Sequence, residues 1–221
     1  MQIKKWLSYL LPLQDRVYHS PVNGRLEINW QHGRRVLDSA VSNYSYGSLQ
    51  RILQRGLEEA NFQPTAQSVL VLGLGGGSLI ETLRNRFAYQ HLITCVEIDP
   101  SMIQIAKEVF QIERFAPIEI VCEDAATYVF GSKHCFDWVI VDIFIGDSIP
   151  ACFTHPHFLS QLIRVLSATG TLLFNTMHHT LPSEQLLAMA SYLQTKGLAT
   201  RILHRIENTN NVLLATKQTQ A

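Results

Sequence analysis

Glycines and carboxylates that follow apolar runs are the residues of this chain whose spacing points to chemistry. The run Val69 to Leu72 has the composition of a strand buried on both faces of a parallel sheet. A tight turn follows, where a ligand can approach bare backbone, formed by Gly73, Gly75, Gly76 and Gly77. Glu97 ends the next apolar run, and a carboxylate at that place accepts the hydroxyls of a ribose. The pairing predicts a nucleoside-bearing cofactor.

Two further acidic positions end later apolar runs. Asp124 follows residues 118–122, and Asp142 ends residues 137–142. Because ligands bind at the carboxyl ends of parallel strands, we expect these carboxylates to meet in one crevice. Ile98 and Ala125 stand beside them and are expected to contact the same cofactor. The alternative is that all of them are turn and helix-cap residues.

The elements that must position these residues alternate along the chain. Strands are predicted at 68–73, 91–97, 117–122, 137–142 and 170–175, and helices at 77–87, 101–110, 124–130, 154–167 and 183–195. Two further strands, 200–207 and 211–217, flank a polar turn and form an antiparallel hairpin. The predicted fold is α/β, a Rossmann-like doubly wound sheet of seven strands, five of them parallel.

The first 60 residues differ in pattern from the rest. Residues 14–40 predict a small antiparallel β-meander, and residues 46–60 a helix that links it to the main domain. We therefore expect an N-terminal segment, 1–60, and a main domain, 61–221. Residues 1–13 read as an amphipathic helix rather than a signal peptide, and they favour a homodimer through this region.

Composition narrows the class of protein. Lys plus Arg and Asp plus Glu both number 18, so nothing suggests a nucleic-acid partner. The four cysteines lack metal-site spacing, which predicts no metal and favours a reducing cytoplasm. No apolar run approaches the length of a membrane span.

The order of motifs distinguishes between nucleoside cofactors. A dinucleotide turn needs G-x-G-x-x-G, but Ser78 and Ile80 stand where a match from Gly75 needs small residues. A terminal antiparallel hairpin after five parallel strands is instead typical of the S-adenosylmethionine (AdoMet)-dependent transferases. That architecture places an acidic residue, here Asp124, against the adenine amino group. A dehydrogenase remains the weaker alternative.

Residues 68–177 also resemble the catalytic domain of spermidine synthase. That family carries a V-L-x-I-G-G-G-D-G-G turn, then V-E-I-D-P, then Y-D-V-I-x-V-D. The corresponding segments here are 69–78, an unmodified 96–100, and 136–142. The resemblance implies a transferase that uses AdoMet or decarboxylated AdoMet, with an amine or polyamine as the small acceptor.

Departures from the family leave the reaction open. Gly76 replaces the acidic residue of the turn, and Asp142 and Asp147 lie five apart where the family has two carboxylates three apart. Fewer carboxylates weaken the capture of a diamine. Gly76 leaves room for the carboxylate of intact AdoMet, which favours methyl or a related transfer. Aminopropyl transfer to putrescine and a catalytically inactive nucleoside-binding protein are the alternatives.

Asp142 is the residue best placed to orient the acceptor and take its proton. A carboxylate that caps the loop is the other interpretation. Asp147 is either a second orienting carboxylate or a turn residue. Tyr46 is expected to line the acceptor pocket, although a tyrosine at a meander-to-helix junction is often structural.

Overall fold

The structure, a computed structural model, describes residues 2–39, 43–45 and 47–218. Its N-terminal part contains one short helix, α1 (Gln2–Leu7), and a sheet of four antiparallel strands in sequential order. These are β1 (Leu13–Ser20), β2 (Gly24–Gln31), β3 (Arg34–Ser39) and β4 (Asn43–Ser45). Helix α2 (Ser48–Glu59) then leads to the main domain. The predicted meander and linking helix are both present, and β4 is an additional strand too short for a periodic signal.

The main domain is built around a sheet of seven strands. In chain order its elements are β5 (Val69–Leu72), α3 (Ser78–Asn85), β6 (Ile93–Glu97), α4 (Pro100–Glu108), β7 (Ile118–Cys122), α5 (Ala125–Gly131), β8 (Phe136–Val141), α6 (Pro156–Val165), β9 (Leu166–Met177), α7 (Ser183–Thr195), β10 (Leu198–Ile206) and β11 (Asn210–Lys217). The strand order is β10-β11-β9-β8-β5-β6-β7. Strands β5 to β9 are parallel, and β10 and β11 form the antiparallel hairpin that the sequence predicts.

The predicted boundaries of α6 and β9 differ from those in the structure. Strand β9 begins at Leu166 rather than near 170, because Leu166 already pairs with Phe136 of β8. The helix predicted at 154–167 begins only at Pro156, after a 3-10 helix at Ala151–Thr154. His155 caps it by accepting a hydrogen bond from the His157 amide at Nδ1, and proline is well suited to the first helical position.

Apolar side chains on both faces of the sheet explain why β5 reads as a continuous apolar run. Leu70 and Leu72 belong to the core on the side of α5, α6 and α7. Val69 and Val71 point into the opposite core, which α2 and α3 cover. A third core joins the N-terminal sheet to α4, with Leu26 and Ile28 packed against Met102 and Ile105. The small sheet is therefore fixed close to the carboxyl end of β6.

The N-terminal residues keep much apolar surface exposed. Ile3, Trp6 and Leu10 are each more than 70% exposed. Ser8 anchors this segment, since its carbonyl accepts from the His32 amide and its hydroxyl from the Gly33 amide. Among the residues described, no helix has the length and apolar character needed to cross a bilayer.

Candidate functional site

The glycine turn after β5 is shaped by two close approaches of backbone. Gly73 has φ +93°, and a Cβ there would overlap the backbone carbonyl of Asp142. Gly77 has φ +84° at the start of α3, where a Cβ would overlap the side chain of Ile112. Glycine is the residue that tolerates both conditions. The turn thereby brings the end of β5 against the end of β8.

Glu97 ties this turn to β6. Its carboxylate is buried, with one oxygen accepting the Leu74 amide at 3.0 Å and the other the Asp99 amide at 2.9 Å. Burial raises the pKa of Glu97, and the backbone amides of Asp99, Leu74 and Gly75 oppose that rise. A carboxylate so placed fixes the turn and keeps further lone pairs for a ligand.

Asp124 lies at the end of β7 and caps α5. Its Oδ1 accepts hydrogen bonds from the Thr127 amide at 2.9 Å and the Thr127 hydroxyl at 3.2 Å. This is an N-cap geometry, as the cap alternative anticipated. Asp124 also lines the cleft, so the cap and a ligand contact are compatible.

One cleft of about 230 Å³ brings most of the predicted site residues together. Its lining includes Gly73, Gly75, Glu97, Ile98, Asp124, Ala125 and Asp142. Gly76, Gly77 and Asp147 are not part of the lining. Tyr46 lies outside the described residues. The predicted convergence of strand ends is thus present, and the role of each residue in binding stays a prediction.

Asp142 has an environment suited to proton transfer. Burial raises its pKa to about 6; the hydrogen bond from Asn175 opposes this rise and the nearby charge of Glu97 adds to it. Asn175 is fully buried and donates from Nδ2 to Asp142 Oδ1 at 2.8 Å. Asn210 in turn donates to Asn175 Oδ1 at 3.0 Å. We call these three hydrogen-bonded side chains the Asn210–Asn175–Asp142 relay.

The relay was missed in the sequence, although one signal was present. Asn175 is an amide that directly follows the apolar residues 172–174 of β9, where a buried polar group needs a partner. Nothing in sequence identifies Asp142 as that partner, because 33 positions separate them.

Asp147 lies in the same loop as Asp142 but has different partners. Its Oδ2 is 3.4 Å from Nε2 of His179, and its backbone carbonyl accepts from the Thr180 hydroxyl. The Ser148 hydroxyl and His179 lower the pKa of Asp147. The structure therefore pairs Asp147 with the loop after β9 and gives His179 a carboxylate partner that the sequence did not reveal.

The turn between β1 and β2 covers the cleft from the N-terminal side. Val22 and Asn23 belong to the lining. Asp99, fully buried at the start of α4, accepts the Ser20 hydroxyl at 2.5 Å and the Asn23 side-chain amide at 2.7 Å. This Ser20–Asp99–Asn23 clamp joins the small sheet to the residue two beyond Glu97. Sequence reasoning missed it as well, since Ser20 and Asp99 are 79 residues apart in the chain.

In the described part of the chain, no group of three or more His, Cys, Asp or Glu side chains is arranged to hold an ion. The arrangement instead offers carboxylate acceptors for hydroxyl and amino hydrogens, together with exposed backbone at a glycine turn. This donor and acceptor chemistry fits a nucleoside.

Comparisons with known proteins find similar sequences over the main domain. Residues 69–170 match a family described as a methyltransferase domain. A polyamine aminopropyltransferase of Vibrio vulnificus is 33% identical over 118 residues, which are 52% of this chain and 39% of the relative. A human eEF1A lysine and N-terminal methyltransferase is 28% identical over 120 residues, 49% of this chain and 17% of that protein. The chain thus spans less than half the length of either relative.

Similarity of fold extends further than similarity of sequence. The crystal structure of a probable spermidine synthase from Corynebacterium glutamicum superimposes with a TM-score of 0.72 at 17% identity. The superposition covers 92% of this chain and 79% of that one. With this coverage, the superposition includes the main domain and at least part of the small N-terminal sheet.

Proposed function

We propose that this chain, a spermidine synthase-like protein with the class I methyltransferase fold, transfers a methyl or related group from AdoMet to a small acceptor. The observation that carries the proposal is the single cleft that joins the glycine turn to three strand-end carboxylates, those of Glu97, Asp124 and Asp142. Both reaction types named for its relatives displace a group from a sulfonium.

The proposal assigns carboxylate partners to two polar parts of an adenosyl group. In it, Glu97 accepts the ribose hydroxyls and Asp124 accepts the adenine amino group. Ile98 and Ala125 supply apolar contacts beside them. Gly73 and Gly75 leave room for the amino-acid end of the donor against bare backbone. Bound AdoMet supplies an activated carbon on a positively charged sulfur, which leaves as a neutral thioether.

Asp142 is the residue that prepares the acceptor. Its carboxylate orients the nucleophilic N–H or O–H toward the donor carbon and takes the proton as the new bond forms. With a pKa near 6, the group is mostly ionised at neutral pH yet basic enough to accept a proton. The Asn210–Asn175–Asp142 relay fixes the carboxylate in one orientation.

Aminopropyl transfer from decarboxylated AdoMet to putrescine is the second candidate, and the charge of the cleft favours it. Among the described residues, the lining holds four carboxylates and no Lys, Arg or His. A donor that lacks a carboxylate suits this charge, whereas AdoMet needs backbone amides of the turn for its own carboxylate. Gly76, the basis for favouring intact AdoMet, is not part of the lining.

Calorimetric titration with each donor separates the two candidates. We expect AdoMet to bind more tightly than decarboxylated AdoMet if methyl transfer is correct, and the opposite order favours aminopropyl transfer. Failure of both donors and of S-adenosylhomocysteine to bind would reject the proposed function altogether.

Turnover with labelled donor then tests the role of Asp142. Asp142→Asn is expected to retain donor binding and lose transfer by about 100-fold or more, the usual contribution of a general base. Asp137→Asn is the matched control, because Asp137 lies near the start of β8, about 17 Å along the strand from Asp142. If the protein is instead an inactive nucleoside-binding protein, the native chain will also show no transfer.

A further inference from the structure

The end of the cleft that surrounds Asp142 is apolar. Ile143, Phe144 and Ile145 directly follow Asp142 and belong to the lining. Pro150, Phe153 and Met177, which follow β8 or end β9, are further apolar residues of the lining. If the proposed function is correct, this is the end where the acceptor binds.

A tight turn keeps the next carboxylate of the loop away from this end. Ile145 and Ser148 exchange two backbone hydrogen bonds, of 3.0 and 3.3 Å. Gly146 adopts φ +65° between them. The turn leaves Ile145 in the lining and directs Asp147 to Ser148, His179 and Thr180. Asp142 is therefore the one carboxylate of this loop that belongs to the cleft lining.

The remaining carboxylates of the lining are distant from Asp142 or already have partners. Glu123 and Asp124 follow β7, which lies three strands from β8 in the sheet, a distance of about 14 Å. Glu97, on β6, is nearer, but its two oxygens accept the Leu74 and Asp99 amides and, under the proposed function, it also holds the ribose. Among the described lining residues, no carboxylate is therefore left for a second charge of an acceptor whose nucleophile is at Asp142.

From this placement we propose that the acceptor is an amphipathic small molecule with one nucleophilic amine or hydroxyl head and an apolar body. The head binds at Asp142, and the body packs against Ile143, Phe144 and Ile145. A diamine or polyamine fits this end poorly, because its second ammonium would leave water for apolar side chains, with no opposite charge left for it among the described lining residues. The inference therefore argues against putrescine as the acceptor, although the charge of the whole cleft suits the decarboxylated donor. This inference rests on the proposed function and specifies its acceptor.

The test compares n-hexylamine with 1,6-diaminohexane, which share the same chain and differ by one ammonium. Dissociation constants are measured by calorimetry on the full chain, both free and saturated with S-adenosylhomocysteine. We expect n-hexylamine to bind about tenfold or more tightly than the diamine. 4-Propylphenol, as a third probe, distinguishes a hydroxyl head from an amine head, and binding of either monofunctional probe in preference to the diamine supports the proposal.

A charge introduced at Ile145 provides the complementary experiment. Ile145→Glu places a carboxylate in the lining and is expected to improve diamine binding by about tenfold relative to n-hexylamine. Leu187→Glu is the control, since Leu187 is similarly exposed but lies on α7, outside the cleft lining. The control should leave the preference of the native chain unchanged.

The outcomes separate this inference from the proposed function. Equal or tighter binding of the diamine by the native chain, or no binding of any monofunctional probe, overturns the inference. Loss of S-adenosylhomocysteine binding would instead reject the proposed function, and the probe measurements on the free chain would still decide the preference of the cleft.

Discussion

Removal of the Asn175 amide is the perturbation that most directly tests how Asp142 is tuned. Two effects oppose each other at this carboxylate: burial raises its pKa, and the hydrogen bond from Asn175 lowers it. Asn175→Ala deletes the lowering effect and leaves the burial. The pKa of Asp142 must then rise above its native value of about 6.

The magnitude follows from the geometry of the bond. At 2.8 Å, with a fully buried donor and a charged acceptor, it is of the kind worth about 1.5–3 kcal/mol. Such an energy corresponds to about one to two pH units in the midpoint of the titration. At pH 7 the ionised fraction would fall from about nine-tenths to between roughly a half and a tenth.

The assay is a carbon-13 NMR titration of labelled aspartate carboxyls, which needs no acceptor. Once an acceptor is found, the acid limb of the pH–rate profile should move upward by the same amount, with activity recovering near pH 9. Asn175→Ser, which keeps a donor, should move the midpoint less.

Asn211→Ala is the matched control for this titration. Asn211 is also buried and bonds the Arg205 amide at 3.0 Å, but it makes no hydrogen bond to Asp142. It should lower stability and leave the midpoint of Asp142 in place. A midpoint that stays fixed or falls in Asn175→Ala would refute the assigned role of the relay.

Three further predictions concern stability and donor binding. The pKa of Asp142 is about 6 in the folded protein rather than 3.8, so the free energy of unfolding falls as pH rises between those values. Asp142→Asn removes this loss and should be more stable than the native chain at pH 7 by up to about 3 kcal/mol, as measured in urea melts. Ser20→Ala breaks the Ser20–Asp99–Asn23 clamp, and should cost about 1–3 kcal/mol in thermal melts while weakening donor binding in calorimetry. Glu97→Gln replaces an acceptor of the Leu74 and Asp99 amides by a group that accepts at one atom only, and should weaken donor binding by about tenfold or more; unchanged affinity would contradict its placement at the ribose.

The fold and much of the cleft followed from local patterns. Buried parallel strands such as β5 read as continuous apolar runs, and the residue after each run necessarily lies at one edge of the sheet. The convergence of Gly73, Glu97, Asp124 and Asp142 is therefore a consequence of topology. All four glycines of the turn were predicted to let a ligand approach bare backbone. Gly77, however, is required by its positive φ at the start of α3 and by its contact with Ile112, and it does not line the cleft.

Contacts between segments that are distant in the chain could not be predicted from the sequence. Asn175 can donate its hydrogen bond to Asp142 only after the strands have paired. Ser20 can donate to Asp99 only after the small sheet has packed on α4. The direction of Asp147 depends on a turn closed by two backbone bonds, which residue types alone do not specify. Pairing of this kind is decided by packing rather than by propensity.

The position of β11 between β9 and β10 has a consequence for biosynthesis. β10 leaves the ribosome before β11, the strand with which β10 pairs. The backbone groups of β10 therefore have no strand partner until residues 210–217 emerge. During that interval the nascent chain exposes two sheet edges, those of β9 and β10, which are templates for intermolecular association. The same late strand contributes Asn210, so a chain stalled at residue 209 would have both an incomplete relay and unpaired strand edges.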